Sequence, residues 1–112
     1  MTIYLDCNAT TPIDPAVADI VRCYMEEDFG NAGSRTHEFG MTAKSAVEKA
    51  RQQIADVVDA QKDEVIFTSG ATESNNLVIL GLANTLKASG KSKIITTAIE
   101  HKAVLEPCAC LG

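Results

Sequence analysis

Three things are scarce in this sequence of 112 residues: clustered positive charge, long apolar runs and paired cysteines. Ten Lys and Arg stand against fifteen Asp and Glu, a formal net charge of −5. The ten are scattered along the chain, and a surface that tracks nucleic-acid phosphates needs them clustered, which excludes direct nucleic-acid binding. No stretch approaches the ~20 apolar residues that span a bilayer. Met1-Thr2-Ile3-Tyr4-Leu5 meets Asp6 before an apolar leader develops, so a soluble, cytoplasmic protein is expected, with no membrane partner. The four cysteines, Cys7, Cys23, Cys108 and Cys110, include no CxxC pair, and the two histidines, His37 and His101, lie outside metal-ligand spacing. Unpaired thiols in a reducing compartment, and no metal, are therefore expected. Low-complexity tracts are absent too, and 46% of the residues are hydrophobic, the composition of a globular domain.

The most informative stretch is Phe67-Thr68-Ser69-Gly70-Ala71-Thr72-Glu73-Ser74-Asn75-Asn76, where an apolar run stops at a glycine turn and a helical pattern begins. A strand turning tightly into a helix points unpaired backbone N–H groups outward with the positive end of the helix dipole behind them. A phosphate is held there without a Lys or Arg. Gly70 and Ala71 let backbone approach the ligand, and the hydroxyls of Ser69 and Thr72 are candidate donors. Alternatively, Thr72 is an ordinary N-cap and Ser69 and Gly70 are turn residues.

Upstream, Ile3-Tyr4-Leu5 reads as a short strand or extended arm, and Asp6 to Pro12 as a polar loop. Asp14-Pro15 opens a helix with an acidic N-cap and proline at its first position, and Val17, Ile20, Val21 and Tyr24 form its buried stripe. Gly30 to His37 is a loop that bunches the donors of Ser34, Arg35, Thr36 and His37. From Phe39 to about Val58 the apolar positions Ala43, Val47, Ala50, Ile54 and Val58 advance by four, three, four and four, an amphipathic helix. Glu64 to Thr68 reads as a strand. Beyond Thr72, Leu77, Val78, Ile79, Leu80, Leu82, Ala83 and Leu86 leave almost no polar side, so this helix is expected to be largely buried. Gly81 within it, at a cost of about 1 kcal/mol relative to Ala, marks close approach to another element. Gly90 stops the helix, and Ile94-Ile95-Thr96-Thr97-Ala98 reads as a second strand. Strand, helix, strand makes a βαβ unit of an α/β fold with parallel strands. Ligands of such sheets bind at the carboxyl ends of strands, which brings His101 to the edge that carries the phosphate turn.

Tyr4-Leu5-Asp6, Ala9-Thr10-Thr11-Pro12, the Asn31 to Gly40 loop, the Phe67 to Asn76 turn and Glu100-His101-Lys102-Ala103-Val104-Leu105 together resemble the cysteine desulfurases, class V aminotransferases of the NifS/IscS type. The resemblance covers essentially the whole chain in order. It implies the N-terminal part of the fold type I architecture: an arm and loop over residues 1–14, a helical segment over 15–60 with an active-site or interface loop at 30–38, and the start of the large domain over 61–112. It implies pyridoxal 5'-phosphate (PLP) as cofactor, with Gly70, Ala71 and Thr72 at its phosphate and His101 stacked on its ring and assisting proton transfer. It implies L-cysteine as substrate, an enzyme persulfide and L-alanine as products, and a homodimer in the full-length form. The sulfur acceptor would be an iron–sulfur scaffold, a tRNA-modifying protein or a DNA-modification protein. The Asn8 to Thr11 segment and the Asn31 to His37 loop would lie near the active site or dimer interface. Asn31-Ala32-Gly33-Ser34, where many members have Asn-Pro-Ser-Ser, resembles the branch that supplies sulfur for DNA phosphorothioate modification.

The Schiff-base lysine, the aspartate facing the pyridinium nitrogen and the persulfide cysteine match no position here. Lys102 is not that lysine, and Cys108 and Cys110 are not in the sulfur-acceptor segment. A fragment that does not turn over cysteine by itself is the expectation. The alternative is a non-catalytic remnant or a phosphate-ligand module that pairs with another chain.

Overall fold

The computed structural model describes residues 3–112, and these divide into two compact units, one ending at Val65 and the other Ile66–Gly112.

In the first unit, α1 (Pro15–Glu26) begins as its sequence dictates. Asp14 Oδ1 accepts the Ala16 N–H at 2.8 Å, and Pro15 occupies the first turn, where no backbone donor is needed. The apolar stripe of α1 is present but uncovered: Val17, Ile20, Val21 and Tyr24 are all exposed, because α1 packs against no other helix among the described residues. The loop that follows bonds to itself. Asn31 Oδ1 accepts the Gly33 N–H at 2.8 Å, the Ser34 N–H donates to Asn31 O, and the Phe29 ring stacks against Phe39 at 6.0 Å.

Helix α2 (Glu38–Val58) has the span its spacing predicts, but only part of the predicted stripe is buried. Gly40, Ala43 and Ala55 are buried, whereas Ile54 and Val58 are exposed. The helix ends on Asp59 in the left-handed conformation (φ 55°, ψ 44°), a position more often held by glycine. A 3₁₀ turn, Lys62–Glu64, then lies back against α2. It is fastened by charge: Lys62 Nζ sits 3.1 Å from Glu48 Oε2, and Arg51 reaches the Val65 carbonyl.

The second unit is a pair of helices, α3 (Ala71–Ala88) and α4 (Lys102–Leu111), packed together. Helix α3 closes where glycine allows a left-handed residue, Gly90 at φ 84°, and the Lys91 N–H returns to Leu86 O at 2.9 Å. Helix α4 runs through Pro107, which is buried.

Three expectations need correction. No strand forms among the described residues: Glu64 to Thr68 and Ile94 to Ala98 are not strands, so no βαβ unit is seen among them, and of the two readings of Ile3 to Leu5 the strand fails and the arm stands open. A ladder needs a partner strand to receive its N–H and C=O groups. Helix α3 is not buried, with Leu77, Val78, Leu80 and Leu82 each more than 40% exposed. Among the described residues, α4 is the one helix that packs on it. Nor does Gly81 lie against another element among the described residues, since no atom from outside its own helix turn comes within 4 Å of the position its Cβ would take.

Candidate functional site

Helix α3 starts at Ala71, with Gly70 as its N-cap, so Thr72 is the second helical residue and not the cap. Gly70 adopts φ 159°, ψ −177°, a region almost confined to glycine, and contributes no capping side chain. A methyl group there would meet nothing within 4 Å. The backbone at Gly70 is therefore open to close approach. The N–H groups of Ala71 and Thr72 are among the donors a helix start leaves without an intrahelical acceptor, and neither finds one among the described residues. The Thr72 hydroxyl is exposed and also unpaired among them.

Ser69 behaves differently. Its N–H and its hydroxyl both donate to Glu73 Oε2, at 2.6 and 2.7 Å. These two bonds, the backbone one first, hold the Glu73 carboxyl below the usual glutamate value. Ser69, an expected phosphate donor, is thus engaged inside the turn. A second set of bonds braces the opposite flank, where Thr68 Oγ1 meets Ser74 Oγ at 2.7 Å and both hydroxyls reach the Gly70 carbonyl. What remains facing outward is the open Gly70 backbone, the Ala71 and Thr72 N–H groups and the Thr72 hydroxyl. This donor set suits a phosphate ester: neutral N–H and O–H groups at the positive end of an 18-residue helix.

His101 is the N-cap of α4, and its Nδ1 accepts the Ala103 N–H at 3.1 Å. An imidazole accepting at Nδ1 carries its proton at Nε2 when neutral, so the hydrogen bond assigns both tautomer and free nitrogen. Gly70 and His101 consequently cap the two helices that pack together in this unit, and no hydrogen bond joins His101 to the Ser69–Thr72 turn among the described residues.

The first unit repeats the device at His37, which caps α2 by accepting the Gly40 N–H at Nδ1, 3.2 Å away. Its Nε2 lies 2.9 Å from Ser34 Oγ. With Nδ1 accepting, Nε2 carries the hydrogen and donates to Ser34, so this pair is not a nucleophile with its base. The four cysteines are free. Sequence reasoning missed the part played by Glu73. Its signal is an acidic residue four positions after a serine at a helix start, a displaced version of the capping box.

Comparison with known proteins identifies the family. Residues 3–112 match the family Aminotransferase class-V. Cysteine desulfurase IscS of Photorhabdus laumondii is 54% identical over 110 residues, covering 96% of this chain and 27% of the relative. Among solved structures, a NifS-like protein superposes with a TM-score of 0.87 at 41% identity, covering 99% of this chain and 30% of that one. DndA from Streptomyces lividans superposes with a TM-score of 0.77 at 59% identity, covering 97% and 30%. The chain thus spans 27% of the length of the curated relative it matches.

Proposed function

Because this chain belongs to the class V aminotransferase family, we propose that it forms part of a PLP-dependent cysteine desulfurase. The observation that carries this reading is 54% identity to a cysteine desulfurase over nearly the whole chain. The donor set at the start of α3 supports it independently.

When bound, the cofactor supplies an electron sink for bond changes at the amino acid substrate. The chain's own residues bind and orient. The N–H groups of Ala71 and Thr72 and the Thr72 hydroxyl hold the phosphate, and Gly70, lacking a side chain, lets it reach the backbone. His101, fixed through Nδ1 by α4, presents its ring face and moves a proton at Nε2. The substrate is L-cysteine: its C–S bond breaks, sulfur passes to an enzyme cysteine as a persulfide, and L-alanine leaves. The lysine, aspartate and cysteine that complete this chemistry belong to the part of the enzyme that this chain does not span. There, too, we place the partner strands that turn Glu64 to Thr68 and Ile94 to Ala98 into the βαβ unit of the large domain, residues 61–112. The same reading makes the complete enzyme a cytoplasmic homodimer.

For the sulfur acceptor, 59% identity to DndA, against 54% to cysteine desulfurase IscS and 41% to the NifS-like protein, leans toward the phosphorothioate branch, as does Asn31-Ala32-Gly33-Ser34. A DNA-modification protein is then the acceptor.

The test is PLP titration of the full chain, followed by the ³¹P resonance of its phosphate ester. Thr72→Ala removes a hydroxyl donor to a charged ligand and should weaken binding by roughly tenfold or more, whereas His101→Asn should leave the phosphate contact in place. Joined to the remaining three quarters of a desulfurase relative, the chain should release alanine from cysteine. Indifference of the ³¹P signal to Thr72→Ala, together with a silent chimera, would sink the reading.

A further inference from the structure

Ser69 is an expected donor of the phosphate turn, yet a carboxylate four residues on takes both its donors. Glu73 sits in the first turn of α3, where its charge also complements the helix dipole. A single oxygen, Oε2, receives the Ser69 N–H at 2.6 Å and the Ser69 hydroxyl at 2.7 Å, both at the length of charge-assisted hydrogen bonds. The loop is closed from two sides: Glu73 on Ser69, and Ser74 with Thr68 on the Gly70 carbonyl. Gly70 is held between them at φ 159°, a residue with no side chain to set its own backbone.

The geometry points to Glu73 as a positioning residue for the phosphate site, holding Ser69 back so that the Ala71 and Thr72 donors alone face the ligand. This rests on the phosphate reading of that turn given above. Glu73 touches no phosphate oxygen and acts through Ser69. Without it, the Ser69 N–H and hydroxyl lose their shared acceptor and Gly70 is held from the Thr68 and Ser74 side alone, so the N–H groups that should converge on the ligand lose part of their common direction.

The experiment uses the full chain with inorganic phosphate as probe and reads two signals: phosphate affinity, and the amide proton shift of Ser69, which reports the hydrogen bond to Glu73 without any ligand. Glu73→Ala should weaken phosphate roughly fivefold, the equivalent of a lost capping interaction, and move the Ser69 amide upfield. Glu73→Gln keeps an acceptor oxygen at the same reach and should restore both signals. Tighter phosphate binding by Glu73→Ala would overturn the inference, because Glu73 would then be a competitor for the seat. So would unchanged affinity with a shifted Ser69 amide, which would separate the bond from the site. If the unsubstituted chain and Thr72→Ala both ignore phosphate while Glu73→Ala still moves the Ser69 amide, the phosphate reading itself has failed and takes this inference with it.

Discussion

A methyl group on Gly40 would lie 2.6 Å from the Ser34 carbonyl oxygen and 2.8 Å from Ser34 Cβ, against a preferred non-bonded separation of about 3.5 Å. Helix α2 and the Gly30 to His37 loop would have to part by roughly 0.7–0.9 Å, the difference between these distances. Overpacking of this kind costs about 1–3 kcal/mol. The same displacement pulls His37 Nδ1 away from the Gly40 N–H, 3.2 Å distant, and a lost N-cap adds about 1 kcal/mol. Gly40→Ala should therefore destabilise the start of α2 by about 2–4 kcal/mol. Gly81→Ala is the internal control with the opposite sign. Its new methyl meets no atom within 4 Å, and alanine gains about 1 kcal/mol over glycine in a helix interior. Native-state amide exchange reads both. Protection in the first turns of α2 should fall roughly thirtyfold or more in Gly40→Ala, and protection around Gly81 should rise about fivefold in Gly81→Ala. Unchanged protection in the first variant would refute the contact argument. A loss in the second would mean that something does approach Gly81.

At His101 the cap and the ring separate by substitution: Asn is a good N-cap without the imidazole, whereas Phe keeps a flat ring and loses the acceptor. Exchange protection of the Ala103 amide should survive His101→Asn and fall about fivefold in His101→Phe. The Cys23 thiol is pushed up by desolvation and by its acidic neighbours Glu27 and Asp28, and its Sγ lies 3.9 Å from Asp28 Oδ2. Asp28→Asn should make Cys23 react faster with iodoacetamide near pH 8, measured by mass spectrometry, and an unchanged rate would count against the Asp28 contact. The hydrogen bond from Lys62, with its charge, holds the Glu48 carboxyl below its ordinary value of 4.5. A carboxyl depressed in the folded state stabilises above its unfolded value, and that contribution is lost as pH falls through the folded one. Lys62→Met should flatten the acid limb of the urea midpoint measured from pH 6 down to pH 2.5.

Local signals were legible and pairwise ones were not. Asp14-Pro15, the spacing from Ala43 to Val58, the start of α3 after Gly70 and its stop near Gly90 are each decided within one turn of chain, and each stands in the structure. The glycine turn at Gly70 that opens α3 was legible for the same reason. The strand readings of Glu64 to Thr68 and Ile94 to Ala98 fail as descriptions of this chain because strand character is realised only against a partner. Burial of α3 was overestimated on similar grounds: hydrophobicity says what a helix face prefers, and α4 is the one helix that packs on it among the described residues. Asp59 in a left-handed cap and two histidines in N-cap positions escaped because these residue types rarely hold those places. The Ser69–Glu73 bonds needed side-chain directions that spacing alone leaves open.

Among the described residues, the hydrophobic ones that this fold buries are Ala43, Ala55 and Ala103. Besides these and Pro107, the apolar side chains are at best partly covered, and hidden apolar surface is what gives protein unfolding its large positive heat-capacity change. Calorimetry of the isolated chain should therefore return a value well under the ~1.2–1.5 kcal/mol/K usual for a 100-residue domain. Its stability would then vary with temperature along a flatter curve. The curvature familiar from globular enzymes would return only when Ile95, Ile99 and the open face of α3 are covered.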